Sequence, residues 1–264
     1  AYSSTSVTTD QSGVSVARPR TVEYQFRTGR TVPRLGVMLV GLTGNNGSTF
    51  CASLLANKLG VTWRDRRGER RPNFYGSMVM ASTTRVGADA ETGEDVFTSI
   101  HGMLPMVRPE DIVIDGWDIS GVNMAEAMRR AQVLDYDLQR QLEKQLERMT
   151  PRKSVYYPEF IASNQEERAD NVMDGNCKEE HLAQLRADIR EFKAREDLET
   201  VIVLWTANTE RFCDVIEGVN DTADNLMSSI SQSHAEISPS VLFAAASILE
   251  GCPFVNGSPQ NTFV

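Results

Sequence analysis

The stretch GLTGNNGSTF, Gly41–Phe50, decides the fold class of this chain. It follows the compact apolar run Gly36–Val40, which we interpret as a buried strand, and it precedes a segment of helical character from about Thr49 to Lys58. Gly41 can make the tight exit from the strand, and Asn46 or Ser48 is predicted to cap the helix. The stretch therefore predicts a strand, a glycine-rich turn and a helix in direct succession.

Two further glycines of this turn, Gly44 and Gly47, let the backbone approach a ligand closely because they lack a Cβ atom. A helix N-terminus behind them offers unpaired N–H groups and a partial positive charge, which stabilise an anion such as a pyrophosphate. The spacing is G-x-x-G-x-x-G, whereas the usual dinucleotide-binding turn reads G-x-G-x-x-G. The turn favours nucleotide binding, although the glycine pattern by itself is also compatible with other turns.

Three more apolar runs are predicted strands, and each leads into a polar loop. Because ligands of open α/β sheets bind outside the carboxyl ends of the strands, we expect these loops to share one crevice with the glycine-rich turn. Each loop also has a local alternative. The loop with Asp118 could be a surface turn in which Asp118 caps a neighbour, and the loop after Trp205 could be a polar cap for a helix that follows Thr209. The loop after Asn256 could be an Asx-type turn. The runs are Ile112–Ile114, which leads into Asp115–Asp118, then Val201–Leu204, which leads into Trp205–Arg211, and Pro253–Val255, which leads into Asn256–Thr262.

Helical patterns separate these strands, as expected for a parallel sheet with helices on both faces. One long amphipathic helix is predicted from the N-cap Asn123 to Met149, and another from about Lys178 to Arg195. A last helix is predicted to start with Ser238 as its cap and Pro239 as its first residue, and to stop at Gly251. Residues 1–34 lack this periodicity and are predicted to form an extended arm, so the predicted α/β domain covers residues 35–264.

Composition excludes several classes of function. The chain has 264 residues, a formal net charge of −9 and a pI of about 5.0, so a general attraction to nucleic acid or to an anionic membrane is not expected. Its longest apolar run, Val241–Leu249, is too short to cross a bilayer, and the N-terminal residues do not resemble a signal peptide. We therefore expect a cytoplasmic protein. The five arginines of the 64–71 segment are interpreted as a solvated surface turn.

Neither the cysteines nor the histidines are spaced like the ligands of a metal site or like a catalytic triad. The four cysteines form no CxxC pair and are expected to be reduced and mostly buried, and the histidines are isolated. An NAD-dependent dehydrogenase of another kind would need a well-placed His or Lys, and the sequence indicates none. These residues are Cys51, Cys177, Cys213, Cys252, His101, His181 and His234.

Read as whole segments, the loops resemble those of the eukaryotic myo-inositol-1-phosphate synthases, also called inositol-3-phosphate synthases. The resemblance extends from roughly Thr21 to Val264, and the order GWDIS, WTANTER, NGSPQNT is highly specific to that family. One departure is Thr43, where the family's turn usually has glycine. The matching segments are GLTGNNGST, GSMVMASTTRVG, LPMVRPEDIVIDGWDIS, SVYYPEFIASNQEERADNV, VIVLWTANTER, AEISPSVLFAAASILEG and PFVNGSPQNTFV.

The resemblance implies a Rossmann-like NAD-binding domain and an NAD-dependent isomerase that converts D-glucose 6-phosphate to 1D-myo-inositol 3-phosphate. It implies internal oxidation, enolisation, intramolecular aldol cyclisation and reduction, the first step of inositol biosynthesis, and a homotetramer at full length. The NAD-binding residues implied, by position in the matching segments, are Gly44, Asn45, Asn46, Gly47, Asp118, Ser154, Val155, Gln165, Arg168, Thr206, Ala207, Asn208, Thr209, Gly257 and Ser258.

The resemblance further implies that the catalytic lysines and the tetramer-building sheet lie after the NGSPQNTF loop. The five lysines of this chain do not match the catalytic lysines of the family, and we expect them to lie on the solvated surface. The chain is thus interpreted as the N-terminal part of such an enzyme, inactive by itself. The alternative is a short, catalytically silent NAD-binding form that regulates the full-length enzyme. The lysines considered are Lys58, Lys144, Lys153, Lys178 and Lys193.

Overall fold

A computed structural model describes residues 1–27 and 29–262. Thr28, which falls in the predicted arm, and Phe263 and Val264, which end the predicted domain, lie outside the described residues. The strands are β1 Tyr2–Thr9, β2 Ser15–Val22, β3 Leu35–Val40, β4 Trp63–Asp65, β5 Gly68–Arg70, β6 Thr83–Ala88, β7 Asp95–Ser99, β8 Val113–Asp118, β9 Arg152–Lys153, β10 Thr200–Trp205 and β11 Phe254–Asn256. The α-helices are α1 Asn45–Leu59, α2 Met78–Ala81, α3 Ile100–Met103, α4 Met124–Ala131, α5 Tyr136–Leu146, α6 Lys178–Arg195, α7 Ala223–Ser231 and α8 Pro239–Leu249, and 3-10 turns span Pro109–Asp111, Pro158–Phe160 and Ser163–Arg168.

The smaller of two structural units consists of Ala1–Val32 and Thr83–Pro105. It contains two antiparallel hairpins, one formed by β1 and β2 and one by β6 and β7, together with the single-turn helix α3. The segment predicted as an extended arm therefore includes a regular hairpin. The predicted domain runs unbroken from residue 35, whereas the structure groups 83–105 with the N-terminal residues, and the domain boundaries stay a prediction.

The larger unit, Pro33–Ser82 and Met106–Val264, is built on a five-stranded sheet in the order β11-β10-β3-β8-β9. Every pairing in this sheet is parallel, as the sequence predicted. The chain adds strands on one side of β3 as far as β9 and then returns to the other side with β10, so the strand order reverses between β3 and β10. A reversal of this kind is where open α/β sheets bind their ligands.

Alternation of side chains along β3 divides the core between the two faces of the sheet. Val37 and Leu39 pack with buried residues of α1, α4 and α5, whereas Met38 and Val40 pack with α6 and α8. Helices thus cover both faces, which confirms the predicted fold class.

The helix boundaries show where local sequence signals were sufficient. Helix α6 has the predicted bounds, and α8 starts at Pro239 with the Ser238 hydroxyl accepting a hydrogen bond from the Val241 N–H. The single helix predicted from Asn123 to Met149 is wrong, because the chain leaves α4 at Gln132 in the left-handed conformation, with φ of 53°, and starts α5 after Asp135.

The predicted cap of α1 is also wrong. The helix begins one turn earlier than expected, and its N-cap is Gly44 rather than Asn46 or Ser48. The Ser48 hydroxyl instead donates to the Asn45 carbonyl inside the helix. The 64–71 segment is the exposed hairpin of β4 and β5, which agrees with its interpretation as a surface turn.

Candidate dinucleotide-binding site

A cavity of about 430 Å³ opens at the carboxyl ends of β3, β8 and β10. These ends are in register, since Val40 of β3 pairs with both Trp205 of β10 and Trp117 of β8. The sheet thereby brings together loops that are up to 167 residues apart in the chain, from Gly41 in the glycine-rich turn to Asn208 after β10. The predicted site residues that line the cavity are Gly44, Asn45, Asn46, Asp118, Ser154, Val155, Gln165, Arg168, Thr206, Ala207 and Asn208.

Four predicted residues do not line this cavity. Gly47 is buried in the first turn of α1, and Thr209 is exposed in the loop after β10. The Gly257 N–H donates to the Trp205 carbonyl over 3.0 Å, and the Ser258 hydroxyl donates to the Ala207 carbonyl over 3.0 Å. The loop after β11 therefore contacts Trp205 and Ala207, which line the cavity, but Gly257 and Ser258 do not line it themselves.

The glycine-rich turn is shaped by close backbone contacts. Gly41 has φ of +90°, and a Cβ there would lie 2.8 Å from the backbone of Ala207. A Cβ at Gly47 would lie 2.2 Å from the Leu42 carbonyl oxygen. These contacts bring the first turn of α1 against the exit of β3. The N-cap Gly44 has no side chain with which to cap α1, so the N–H groups of the first turn are suited to bind a ligand in the cavity.

The departure at Thr43 has no backbone cost. In the described part of the chain, the residues other than glycine with positive φ are Gln132, Asp197 and Ser233, so Thr43 adopts a conformation that suits a β-branched residue. Its side chain is fully buried beneath the turn.

Asp118 connects the end of β8 to the glycine-rich turn. Its carboxylate is 4% exposed and accepts hydrogen bonds from the Thr43 N–H, over 2.9 Å, and the Ser120 N–H, over 3.0 Å. The sequence interpretation placed Asp118 in a loop beyond a strand that ends at Ile114, and this is wrong because β8 continues through Asp118. The other carboxylate of this strand, that of Asp115, forms an ion pair with Arg152.

Two guanidinium groups flank Asp118. Arg168 lies with Nη2 3.9 Å from the carboxylate, and its Nε is buried without a hydrogen-bond partner among the described residues. Arg130 donates from Nη2 to the Thr43 carbonyl over 2.6 Å. Burial lowers the pKa of Arg130, and the nearby charge of Arg168 lowers it further. Two positive charges and one negative charge next to a helix N-terminus suit an anionic group.

The sequence reasoning missed part of the cavity lining and Arg130. The missed lining residues carry little motif information because they are mostly apolar, although most directly adjoin predicted residues. Arg130 belongs to the amphipathic pattern of a helix, and no local signal separates it from its neighbour Arg129. The missed lining residues are Val40, Gly41, Ile119, Ile161 and Trp205.

One of the lysines contradicts its expected exposure. Lys178 is 5% exposed, and its ammonium donates to the carbonyls of His234, over 2.9 Å, and Ile237, over 2.7 Å. Its Nζ also lies 4.5 Å from the centre of the Tyr157 ring. Burial lowers the pKa of Lys178. The other four lysines considered, at positions 58, 144, 153 and 193, are exposed as expected.

Metal-binding clusters and membrane-spanning helices are absent from residues 1–27 and 29–262, the part of the chain that the structure describes. No group of three or more His, Cys, Asp or Glu side chains is arranged to hold a metal ion there. No helix there is both long and apolar enough to span a bilayer. The four cysteines are unpaired, and three of them are buried.

The strand order of the parallel sheet reverses beside a glycine-rich turn, and the N-terminus of a helix and an arginine line the cavity there. These features define a dinucleotide-binding α/β domain. The family model for myo-inositol-1-phosphate synthase matches residues 35–264. The chain belongs to this family, and because the matched model is that of its NAD-binding domain, NAD is the cofactor.

Individual relatives support the same assignment. The chain is 58% identical to inositol-3-phosphate synthase 1 of Bos taurus over 263 residues, which cover 100% of the chain and 46% of the relative. It is 57% identical to the Homo sapiens protein of the same name over 254 residues, with coverage of 96% and 45%. The crystal structure of inositol-3-phosphate synthase from Caenorhabditis elegans superposes with a TM-score of 0.93 at 46% identity, covering 100% of this chain and 51% of that one. The chain thus spans about half the length of these relatives.

Proposed function

We propose that this chain supplies the NAD-binding half of an NAD-dependent isomerase that converts D-glucose 6-phosphate to 1D-myo-inositol 3-phosphate. The observation that carries the proposal is the cavity at the strand-order reversal, which is lined both by the N-terminus of α1 and by Arg168. The names of the relatives, which are inositol-3-phosphate synthases, support the reaction assigned.

The residues of the cavity have separate roles in this proposal. The N–H groups of Asn45 and Asn46 and the guanidinium of Arg168 bind the pyrophosphate, because these donors adjoin the first turn of α1. Asp118 keeps the turn in place and faces the ribose. The walls that exclude water from the rings come from the loops after β9 and β10, at residues 154–155 and 206–208. The loop after β11 supports these walls through the hydrogen bonds of Gly257 to Trp205 and of Ser258 to Ala207.

NAD held by these residues would supply the hydride-transfer chemistry at C5 of the sugar. Loss of a proton from C6 and the bond from C6 to C1 need acid and base groups near the sugar, and we assign none of these to this chain. The buried lysine, Lys178, is already bonded to backbone carbonyls, and the other four lysines considered are exposed. The proposal therefore assigns no catalytic role to any of these five lysines.

We also propose a homotetramer in the cytoplasm as the state of the complete protein. The unpaired thiols, most of them buried, are typical of a reducing compartment.

A calorimetric titration of NAD⁺ into the complete protein, with turnover of glucose 6-phosphate measured in parallel, tests the proposal. Arg168→Met is expected to lower the NAD⁺ affinity by about tenfold or more, because it removes the cation facing the pyrophosphate. Arg148→Met is the matched control, since Arg148 is exposed and does not line the cavity. Equal NAD⁺ affinities for the two variants would contradict the assignment of this cavity as the NAD-binding site. NAD⁺ binding without turnover would instead favour the catalytically silent, regulatory form.

A further inference from the structure

Arg130 lies in the last turn of α4 and reaches the glycine-rich turn from outside the cavity. Helix α4 is fixed at its start by the Asn123 side chain, which accepts a hydrogen bond from the Glu126 N–H over 3.0 Å. Met124 and Met128 are buried in the core cluster that α4 shares with α1. The position from which Arg130 extends is therefore set by packing rather than by the turn itself.

The contact of Arg130 completes a set of hydrogen bonds around Thr43. The Thr43 carbonyl accepts from Arg130 Nη2 over 2.6 Å, and the Thr43 N–H donates to Asp118 over 2.9 Å. The next amide, that of Gly44, donates to the Gly41 carbonyl over 3.0 Å. Because the peptide group between Thr43 and Gly44 is planar, holding its oxygen and its N–H fixes the direction in which α1 begins.

We infer that Arg130 is a positioning residue for the pyrophosphate: it holds the Thr43 carbonyl so that the first-turn N–H groups of α1 point into the cavity. The inference rests on the proposed function, since it assumes that the cavity binds NAD. Arg130 is not one of the residues that line the cavity, so its effect passes through the turn. A planar guanidinium directed by a packed helix is suited to fixing a single carbonyl group.

The charge of Arg130 offers a competing explanation, because any cation near the site attracts a pyrophosphate. The groups around it are Asp118, which favours its charged form, and Arg168, which opposes it. Its neighbour Arg129 separates the two explanations. Arg129 lies on the same helix, is half exposed and pairs with Glu143 rather than with the turn. Arg129→Gln therefore removes the same charge one residue away and leaves the Thr43 carbonyl bonded.

The test compares Arg130→Gln, Arg130→Lys and Arg129→Gln in the complete protein. Arg130→Gln is expected to weaken NAD⁺ binding about tenfold or more, while adenosine, which has no phosphate, changes less than about twofold. Arg130→Lys keeps the charge and one donor and should recover part of the loss. In the ligand-free protein, amide hydrogen exchange at Thr43 and Gly44 should be about tenfold faster in Arg130→Gln than in Arg129→Gln.

Two results would overturn the inference. Equal losses of NAD⁺ affinity in Arg130→Gln and Arg129→Gln would assign the effect to charge, and unchanged exchange at Thr43 and Gly44 would show that Arg130 does not hold the turn. Absence of NAD⁺ binding by the wild-type protein would refute the proposed function instead. In that case the exchange rates still decide whether Arg130 fixes the turn.

Discussion

Gly47→Ala is the substitution for which the structure gives the sharpest expected cost. The added Cβ would lie 2.2 Å from the Leu42 carbonyl oxygen and 2.7 Å from that of Gly41. Both atoms belong to the backbone at the exit of β3, so no side chain can rotate away to make room. Since Cβ atoms essentially never come within 3.0 Å of such atoms, the first turn of α1 must move away from the strand by roughly 1 Å.

This displacement has two expected consequences. Overpacking of a rigid contact lowers the free energy of unfolding by about 1–3 kcal/mol. A shift of about 1 Å also moves the first-turn N–H groups away from the pyrophosphate, which we expect to weaken NAD⁺ binding about tenfold or more. The second effect is the more informative one, because Gly47 does not itself line the cavity.

Urea denaturation and NAD⁺ titration of the complete protein measure both quantities. Gly76→Ala is the matched control, because a Cβ at Gly76 meets no atom within 4 Å and its backbone has no positive φ. Gly44→Ala should be intermediate, since its Cβ would lie 3.1 Å from the Gly41 oxygen. An alanine at position 47 that left stability and NAD⁺ affinity like those of the Gly76 variant would refute the packing argument.

Asp118→Asn keeps one oxygen acceptor and leaves one of two buried N–H groups unpaired, so we expect about 1–3 kcal/mol less stability and weaker NAD⁺ binding. Denaturation that matches wild type would show that the turn does not depend on this carboxylate. Lys178→Met leaves buried carbonyls without their donor and should cost about 3 kcal/mol in the free energy of unfolding, whereas Lys193→Met, on the exposed side of α6, should stay within about 0.5 kcal/mol. Similar values for the two methionine variants would contradict the structural role of Lys178. Burial raises the pKa of the Glu210 carboxyl from 4.5 to about 7, so the folded state holds this proton more tightly than the unfolded state does. The stability that results is fully present below pH 4.5 and is lost as the pH rises through about 7. Glu210→Gln should flatten that part of the curve of stability against pH, and an unchanged slope in urea titrations would argue against a buried, protonated Glu210.

Local signals in the sequence were sufficient where one or two residues decide a boundary. Ser238 and Pro239 specify the start of α8, and the apolar runs specify β3 and β10. The polar loops after these strands could be assigned to one crevice, because the carboxyl ends of parallel strands share one edge of the sheet. The family assignment likewise depended only on the order of residues in the loops.

Other features depended on contacts between distant segments. The break between α4 and α5 has neither glycine nor proline: Gln132 takes the left-handed conformation, and the Trp63 ring N–H donates to Asp135 before α5, a contact across 72 residues. Strand β9 has two residues and is defined only by its pairing with β8.

The sequence by itself determined the fold class and the parallel arrangement of β3, β8, β10 and β11, because strand and helix periodicity and turn chemistry are local properties. Only the tertiary structure decided what those residues contact. Asp118 holds the glycine-rich turn because β8 runs farther than its apolar residues indicate, and Lys178 is buried because the carbonyls of His234 and Ile237 lie within its reach. Arg130 and Arg129 are equivalent in the sequence pattern, and they differ in the folded chain because the packing of α4 against α1 directs only one of them at Thr43.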